Sequence, residues 1–165
     1  MKACDELSSS MEDYLETIAL LKKENDVARV RDIGSSLAVK SSSVNAALKN
    51  LSQKGLVVYE RYGYVNLTTK GEEVAAKVQD KHDVLLKFLT KVLSIDNDIA
   101  SEDACKMEHA ISAETFAKLS KFIQFVEIGM GGDNSAEWLK RFNHYLRTGK
   151  IVEMQSTASY RSKGR

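Results

Sequence analysis

Proline is absent from all 165 residues, tryptophan occurs once, and cysteine occurs only at Cys4 and Cys105. Without proline, nothing removes a backbone donor or forces a ring clash inside a helix, so long helical periodicities can run unbroken. Two cysteines so far apart do not make a disulfide framework; Cys105 is better explained as a ligand and Cys4 as an end residue. Long apolar runs are also missing, none approaching the roughly 18 residues a membrane-spanning helix needs. The N-terminus is polar and acidic rather than a signal sequence, so a cytoplasmic protein with no membrane partner is expected. With 43% hydrophobic residues the chain can bury an ordinary core, as one domain or two small ones.

The net charge of +1 conceals an asymmetry. Residues 28–71 hold seven basic side chains, Arg29, Arg31, Lys40, Lys49, Lys54, Arg61 and Lys70, against Asp32 and Glu60, which leaves that segment at +5 and the remainder at −4. A basic block in a nearly neutral chain is the electrostatic footprint of a nucleic-acid surface, with a solvated face as the plainer alternative.

The order of elements agrees with a DNA-binding reading. Ser9 and Glu12 form a capping box ahead of a helix with Met11, Tyr14, Leu15, Ile18 and Leu21 on its inner stripe. Val30, Ile33, Leu37 and Val39 mark a shorter helix. After a turn around Lys40, Ser41 opens another, with Val44, Leu48 and Leu51 inside and Gly55 at its end. Residues 56–59 and 64–67 read as a hairpin, and the run from Thr69 to Glu72 caps a helix continuing to about Leu93. Helix, helix-turn-helix and hairpin in that order describe a winged helix. Beyond it, 95–98 is expected as a loop, and 101–111 as the helix carrying Cys105. Ser112 is the cap of a helix holding Phe116, Leu119, Ile123 and Val126. Residues 129–134 read as a hinge, Ser135 to Arg147 as a last helix burying Trp138, Leu139, Phe142 and Tyr145, and the basic end from about Met154 as disorder.

The second helix of a helix-turn-helix enters the major groove, so its outward residues near the N-terminus can reach base edges. Here these are Ser42, Ser43, Asn45 and Ala46. Asn45 could pair with adenine, while Lys40 and Lys49 suit phosphate contacts. Arg61 and Tyr62 at the hairpin tip could reach backbone or minor groove.

Cys105, Glu108 and His109, at i, i+3 and i+4, place a thiol, a carboxylate and an imidazole on one helical turn, which is half of a first-row-metal site. Asp13 and Glu16, also one turn apart, and His82 are further candidates. A lone histidine or Asp-x-x-Glu more often serves packing or solvated surface, whereas burying carboxylate with imidazole is costly without a cation. Asp96-Asn97-Asp98 lacks the glycine and terminal glutamate of a calcium loop and reads as a turn. Metal sensing coupled to DNA is the leading reading. A winged-helix regulator answering to an organic ligand and a small metalloenzyme compete with it. No nucleophile–base pair or phosphate loop accompanies the ligands, so an enzyme is not expected.

The order Met11-Glu12-Asp13-Tyr14-Leu15-Glu16, the winged helix, Lys81-His82, and the run from Asp103 through Cys105 to Glu108-His109 resemble the diphtheria-toxin-repressor family over residues 9–127. The resemblance is nearest to the manganese transport regulator branch, because 165 residues leave no room for the C-terminal β-barrel of longer members. It implies a mainly α protein, with a winged helix-turn-helix over 1–72 and a helical metal-binding and dimerisation domain over 73–128. A linker, last helix and tail would fill 129–165. It further implies a homodimeric repressor of metal-homeostasis genes that binds palindromic double-stranded DNA when loaded with Fe²⁺ or Mn²⁺. Carried over position by position, it makes Asp13, Glu16, His82, Cys105, Glu108 and His109 the ligands of one site or of two neighbouring ones. The set is a hybrid: Asp13 matches the manganese-type pattern and Cys105 the iron-type one. Leu86 and Ser101 stand where the ancillary site of iron-type members uses a glutamate and a histidine. Oxygen donors suit manganese or ferrous iron, and a thiolate shifts preference toward iron, cobalt or zinc, so Zn²⁺ or Co²⁺ could bind in vitro.

Overall fold

The computed structural model describes residues 7–59, 63–129 and 135–151. The chain opens with helix α1 (Ser9–Asn25), a two-residue strand β1 (Ala28–Arg29), and helices α2 (Val30–Ser36) and α3 (Ser41–Gln53). Strands β2 (Val57–Tyr59) and β3 (Tyr64–Leu67) follow, then the long helix α4 (Thr69–Lys87). β3 is the central strand, antiparallel to both neighbours, with Ala28 opposite Val65 and Val57 opposite Leu67. β1 adds to the expected hairpin; two residues carry no periodicity that a sequence reading could detect. The apolar positions Tyr14, Leu15, Ile18, Ile33, Val44, Leu48 and Leu51 are all buried in one cluster, closed by Val57, Val65, Leu67 and Ala75.

Local chemistry shifts several boundaries. The N-cap of α1 is Ser8, without a side-chain bond, so the expected Ser9–Glu12 capping box does not form. The Glu12 carboxylate is instead bonded to His109, a largely buried partner that outcompetes an exposed backbone donor. α2 stops at Ser36, and the turn is made by Ala38 at φ 53 rather than around Lys40, leaving Val39 exposed. Thr68, not Thr69, caps α4: its hydroxyl accepts from Gly71 N at 3.1 Å and donates to the Gly55 carbonyl at 2.7 Å. Gly55, at φ +70, ends α3 with Leu56 N bonded to Leu51 O at 2.9 Å, a Schellman arrangement.

α4 runs into a π-helical turn (Phe88–Val92), after which come α5 (Asn97–Glu108), α6 (Ala113–Gly129) and α7 (Ser135–Thr148). The wider π turn changes which side each residue faces. Leu85 and Leu89 pack with Ala100 and Ala104 of α5, while Val92 packs with Ile123, Val126 and Leu139 of α6 and α7. α5 starts at Asn97 rather than 101, because the Asp96 carboxylate caps it by accepting from Asp98 N at 3.0 Å. Ser112 caps α6 as expected, its hydroxyl accepting from Thr115 N. In α7 Leu139 is buried and Trp138 and Phe142 are partly so, but Tyr145 is 45% exposed and stays outside the cluster that these residues form with Val92, Ile123 and Val126. Most of the expected hinge, the wing tip from Glu60 to Tyr62 and the basic end lie outside the described residues. Among those described, no helix is long and apolar enough to cross a membrane.

Candidate metal centre

α1 is amphipathic in two directions. Tyr14, Leu15 and Ile18 face the winged-helix core, while the Glu12, Asp13 and Glu16 edge faces α4 and the C-terminal end of α5. At that end Lys81 of α4 donates to the Glu108 carbonyl at 3.1 Å, setting a cation on the free carbonyl end of the helix. His109 follows as the C-cap residue.

Among the described residues, Asp13, Glu108 and His109 form a group whose ligand atoms all lie within 4.8 Å of one another. His109 Nε2 is 2.8 Å from Asp13 Oδ1 and 3.2 Å from Glu108 Oε1. The other ring nitrogen, Nδ1, is 2.7 Å from Glu12 Oε2. The Glu108 side chain is fully buried, and its second oxygen is 2.8 Å from His82 Nδ1. Glu16 is near enough to couple electrostatically to His82, His109, Asp13 and Glu108, although it lies outside the tight group of three. Cys105 is exposed at the rim and also outside that group.

The electrostatics are those of crowded anions. Burial, and then Glu16, push the Glu108 carboxyl up, against the pull of His82 and His109. Burial also raises Glu16, with Asp13 adding to it and the two imidazoles opposing. The Cys105 thiol is raised by partial burial and by Glu108, Asp13 and Glu16. For His109 burial acts downward, but the bond to Glu12 and the charges of Asp13, Glu108 and Glu12 outweigh it, so its pKa is raised.

Two side-chain atoms, Glu108 Oε1 and His109 Nε2, are buried without a hydrogen bond. Their short mutual contact and the contact to Asp13 lack hydrogen-bonding geometry. A buried polar atom left unbonded costs on the order of 1–3 kcal/mol. Two such atoms converging with a third donor fit a divalent cation, which would satisfy all three and offset the carboxylate repulsion. Sequence reasoning missed Glu12, because a capping box accounts for it locally and its true partner is 97 positions away.

In the winged helix, Lys40 at the N-cap of α3 and Ser42, Ser43, Asn45, Ala46 and Lys49 along it are all exposed. The Tyr59 hydroxyl donates to Asn45 Oδ1 at 3.2 Å, tying the wing strand to α3 and engaging the acceptor that adenine pairing would use. Arg29 stacks over the Tyr64 ring, 5.2 Å from its centroid. Arg61 and Tyr62 lie outside the described residues.

Two family models match the chain in tandem. The iron dependent repressor N-terminal DNA binding domain matches residues 6–65, and the iron dependent repressor metal binding and dimerisation domain matches residues 68–135. An uncharacterized HTH-type transcriptional regulator of Methanocaldococcus jannaschii is 42% identical over 119 residues, covering 72% of this chain and 95% of the relative. The HTH-type transcriptional regulator MntR of Bacillus subtilis is 33% identical, covering 72% of this chain and 82% of its own length. Among solved structures, the manganese regulator SloR superposes with a TM-score of 0.63 at 28% identity over 70% of this chain. The IdeR of T. acidophilum superposes with a TM-score of 0.63 at 25% identity over 75% of this chain. The chain spans about half of those two longer structures, 54% and 56%.

Proposed function

The chain belongs to the iron-dependent repressor family, and from that membership we propose that it is a homodimeric transcriptional repressor whose hold on palindromic DNA depends on Fe²⁺ or Mn²⁺ bound between α1 and α5. The observation that carries this reading is the meeting of Asp13 with Glu108 and His109 around two buried, unbonded donor atoms. Glu16, His82 and Cys105 border the same place and complete the proposed ligand set. The oxygen-rich donors favour iron or manganese over the tetrahedral habit of zinc. A cation there supplies the positive charge that lets these carboxylates lie together.

The chain's own residues make that charge matter to DNA. α1 carries Asp13 and Glu16 on one edge, and on the other packs in the core that seats α3. Anionic repulsion between the α1 edge and Glu108 therefore bears directly on the element beside the recognition helix. The proposed effect is a shift among existing orientations of the two heads of a dimer, toward the spacing that half-sites one helical turn apart require. The proposed dimer surface is the outer stripe of α6, where Phe125 is 63% and Ile128 80% exposed. In this reading residues 1–72 read DNA and lend Asp13 and Glu16 to the metal, and residues 73–128 supply the other ligands and the dimer surface, in a cytoplasmic protein. Fluorescence anisotropy on a candidate promoter at fixed salt, comparing Fe²⁺, Mn²⁺, Zn²⁺ and chelator under anaerobic conditions, tests the whole. Metal-dependent binding by a dimer in sedimentation velocity is the expected result, and equal binding in chelator sinks it.

Proton release gives a second check. Cation binding needs His109 Nε2 unprotonated and Glu108 ionised, yet both groups have raised pKa values in the metal-free fold. In that fold the His109 contribution to stability is complete below its ordinary value of 6.5 and is lost as pH rises through its higher folded value. Metal affinity accordingly climbs as pH rises through the raised folded values of these two groups. Titration calorimetry at pH 6.5 in buffers of different ionisation enthalpy should show net proton release; heats independent of buffer would contradict it.

A further inference from the structure

We propose that Glu12 is a positioning residue that fixes the tautomer and ring orientation of His109. The proposal rests on the metal reading above for its purpose, but not for its first test.

The geometry is two-sided. Glu12 Oε2 lies 2.7 Å from His109 Nδ1 in a hydrogen bond, and Asp13 Oδ1 lies 2.8 Å from the unbonded Nε2, so adjacent residues of α1 face opposite nitrogens of one imidazole that is only 9% exposed. A neutral imidazole has a single ring proton, and a carboxylate accepts it on whichever nitrogen it faces without a competing donor demand. With the proton on Nδ1 and donated to Glu12, the Nε2 lone pair faces Asp13 Oδ1 and Glu108 Oε1, the atoms a cation would share. With the proton on Nε2, that lone pair is gone and the site loses its nitrogen donor. Histidine ligands whose second N–H is held by a carboxylate are more basic and fixed in rotation, and losing that carboxylate typically costs 10–100-fold in affinity. Glu12 itself lies on the far side of the ring from Glu108 and so acts through His109.

A plain ion pair helping α1 and α5 to pack would show the same contact, so the test reads something packing does not move. In metal-free protein labelled with ¹⁵N in its histidine rings, at about pH 8.5, the His109 shifts should report the Nδ1–H form in the wild type. Glu12→Met, of similar length but without an acceptor, should move the population toward Nε2–H, while Glu12→Gln, whose amide oxygen still accepts, should keep it. Chelator-competition affinity for Mn²⁺ should fall about 10–100-fold in Glu12→Met and by a smaller factor in Glu12→Gln. An unchanged His109 tautomer in Glu12→Met overturns the proposal, as does a drop in melting temperature with neither tautomer nor affinity altered. A wild type that binds neither Mn²⁺ nor Fe²⁺ would sink the metal reading separately, and a tautomer shift would still support the positioning role.

Discussion

Glu108→Gln is expected to lose at least about 100-fold in Mn²⁺ affinity, and with it metal-dependent DNA binding, while the metal-free protein becomes more stable. The two effects share one cause. Glu108 is fully buried, and its carboxyl is pushed up by burial and by Glu16. A carboxyl whose folded pKa is raised favours the folded state at low pH, and that advantage is lost as pH rises through the folded value. Above that folded value the ionised, metal-free wild type therefore bears a cost that an amide does not. Glutamine keeps the volume and can still accept from His82, so the packing around α5 survives. It removes an anionic donor, and a 100-fold loss amounts to about 2.7 kcal/mol of binding free energy. Thermal melts of both proteins in chelator between pH 5 and pH 8 should diverge as pH rises, with the variant the more stable. A variant less stable at every pH, or one that retains wild-type metal response, contradicts the account.

Among the described glycines, Gly71→Ala should be the most damaging change to alanine. A Cβ on Gly71 would stand 2.0 Å from the Leu56 carbonyl oxygen and 3.4 Å from Leu67 Cδ2. The first obstacle is backbone, anchored by the bond from Thr68 N to the same oxygen at 3.0 Å, so no rotamer change relieves it. Either α4 moves off the wing or the Thr68 cap opens. Overpacking of this kind costs roughly 1–3 kcal/mol when side chains can adjust, and more than about 3 kcal/mol is expected here because they cannot. For a chain of this size that is a fall in melting temperature of the order of 10 °C, measurable by circular dichroism. A melting temperature within about 2 °C of wild type would show that α4 and the wing are not in the contact described.

Those two positions illustrate what the sequence made legible. The winged-helix core follows from helical spacing, because Leu15, Ile18, Val44, Leu48 and Leu51 repeat at three and four residues and have no other way to be buried. The face carrying Ser42, Ser43, Asn45 and Lys49 is what remains of α3 once that stripe is inside. Asp13 with Glu16, and Glu108 with His109, each announce a shared helical turn, but nothing in their spacing says that the two turns meet; that expectation came with the family resemblance. Features set by tertiary competition were less readable. Glu12 fits a capping box, and only the approach of α5 offers it His109 instead. The end of α2 at Ser36 depends on Ala38 taking a left-handed conformation that its side chain does not advertise. The π turn is visible only in the way Leu89 and Val92 part into different clusters. Tyr145 has the right period to be inside, yet it is 45% exposed and outside the cluster its helix joins.

The two-edged character of α1 limits how this protein can change. Successive residues of a helix are separated by about 100° of rotation, so adding or deleting one position between Asp13 and Tyr14 would swing Glu12 and Asp13 away from His109 while Tyr14, Leu15 and Ile18 stayed seated. A length change there cannot be absorbed by drift elsewhere, since both edges already have fixed partners. Substitution can therefore retune the acidic edge or the apolar stripe separately, but α1 can neither lengthen nor shorten within that turn without uncoupling them.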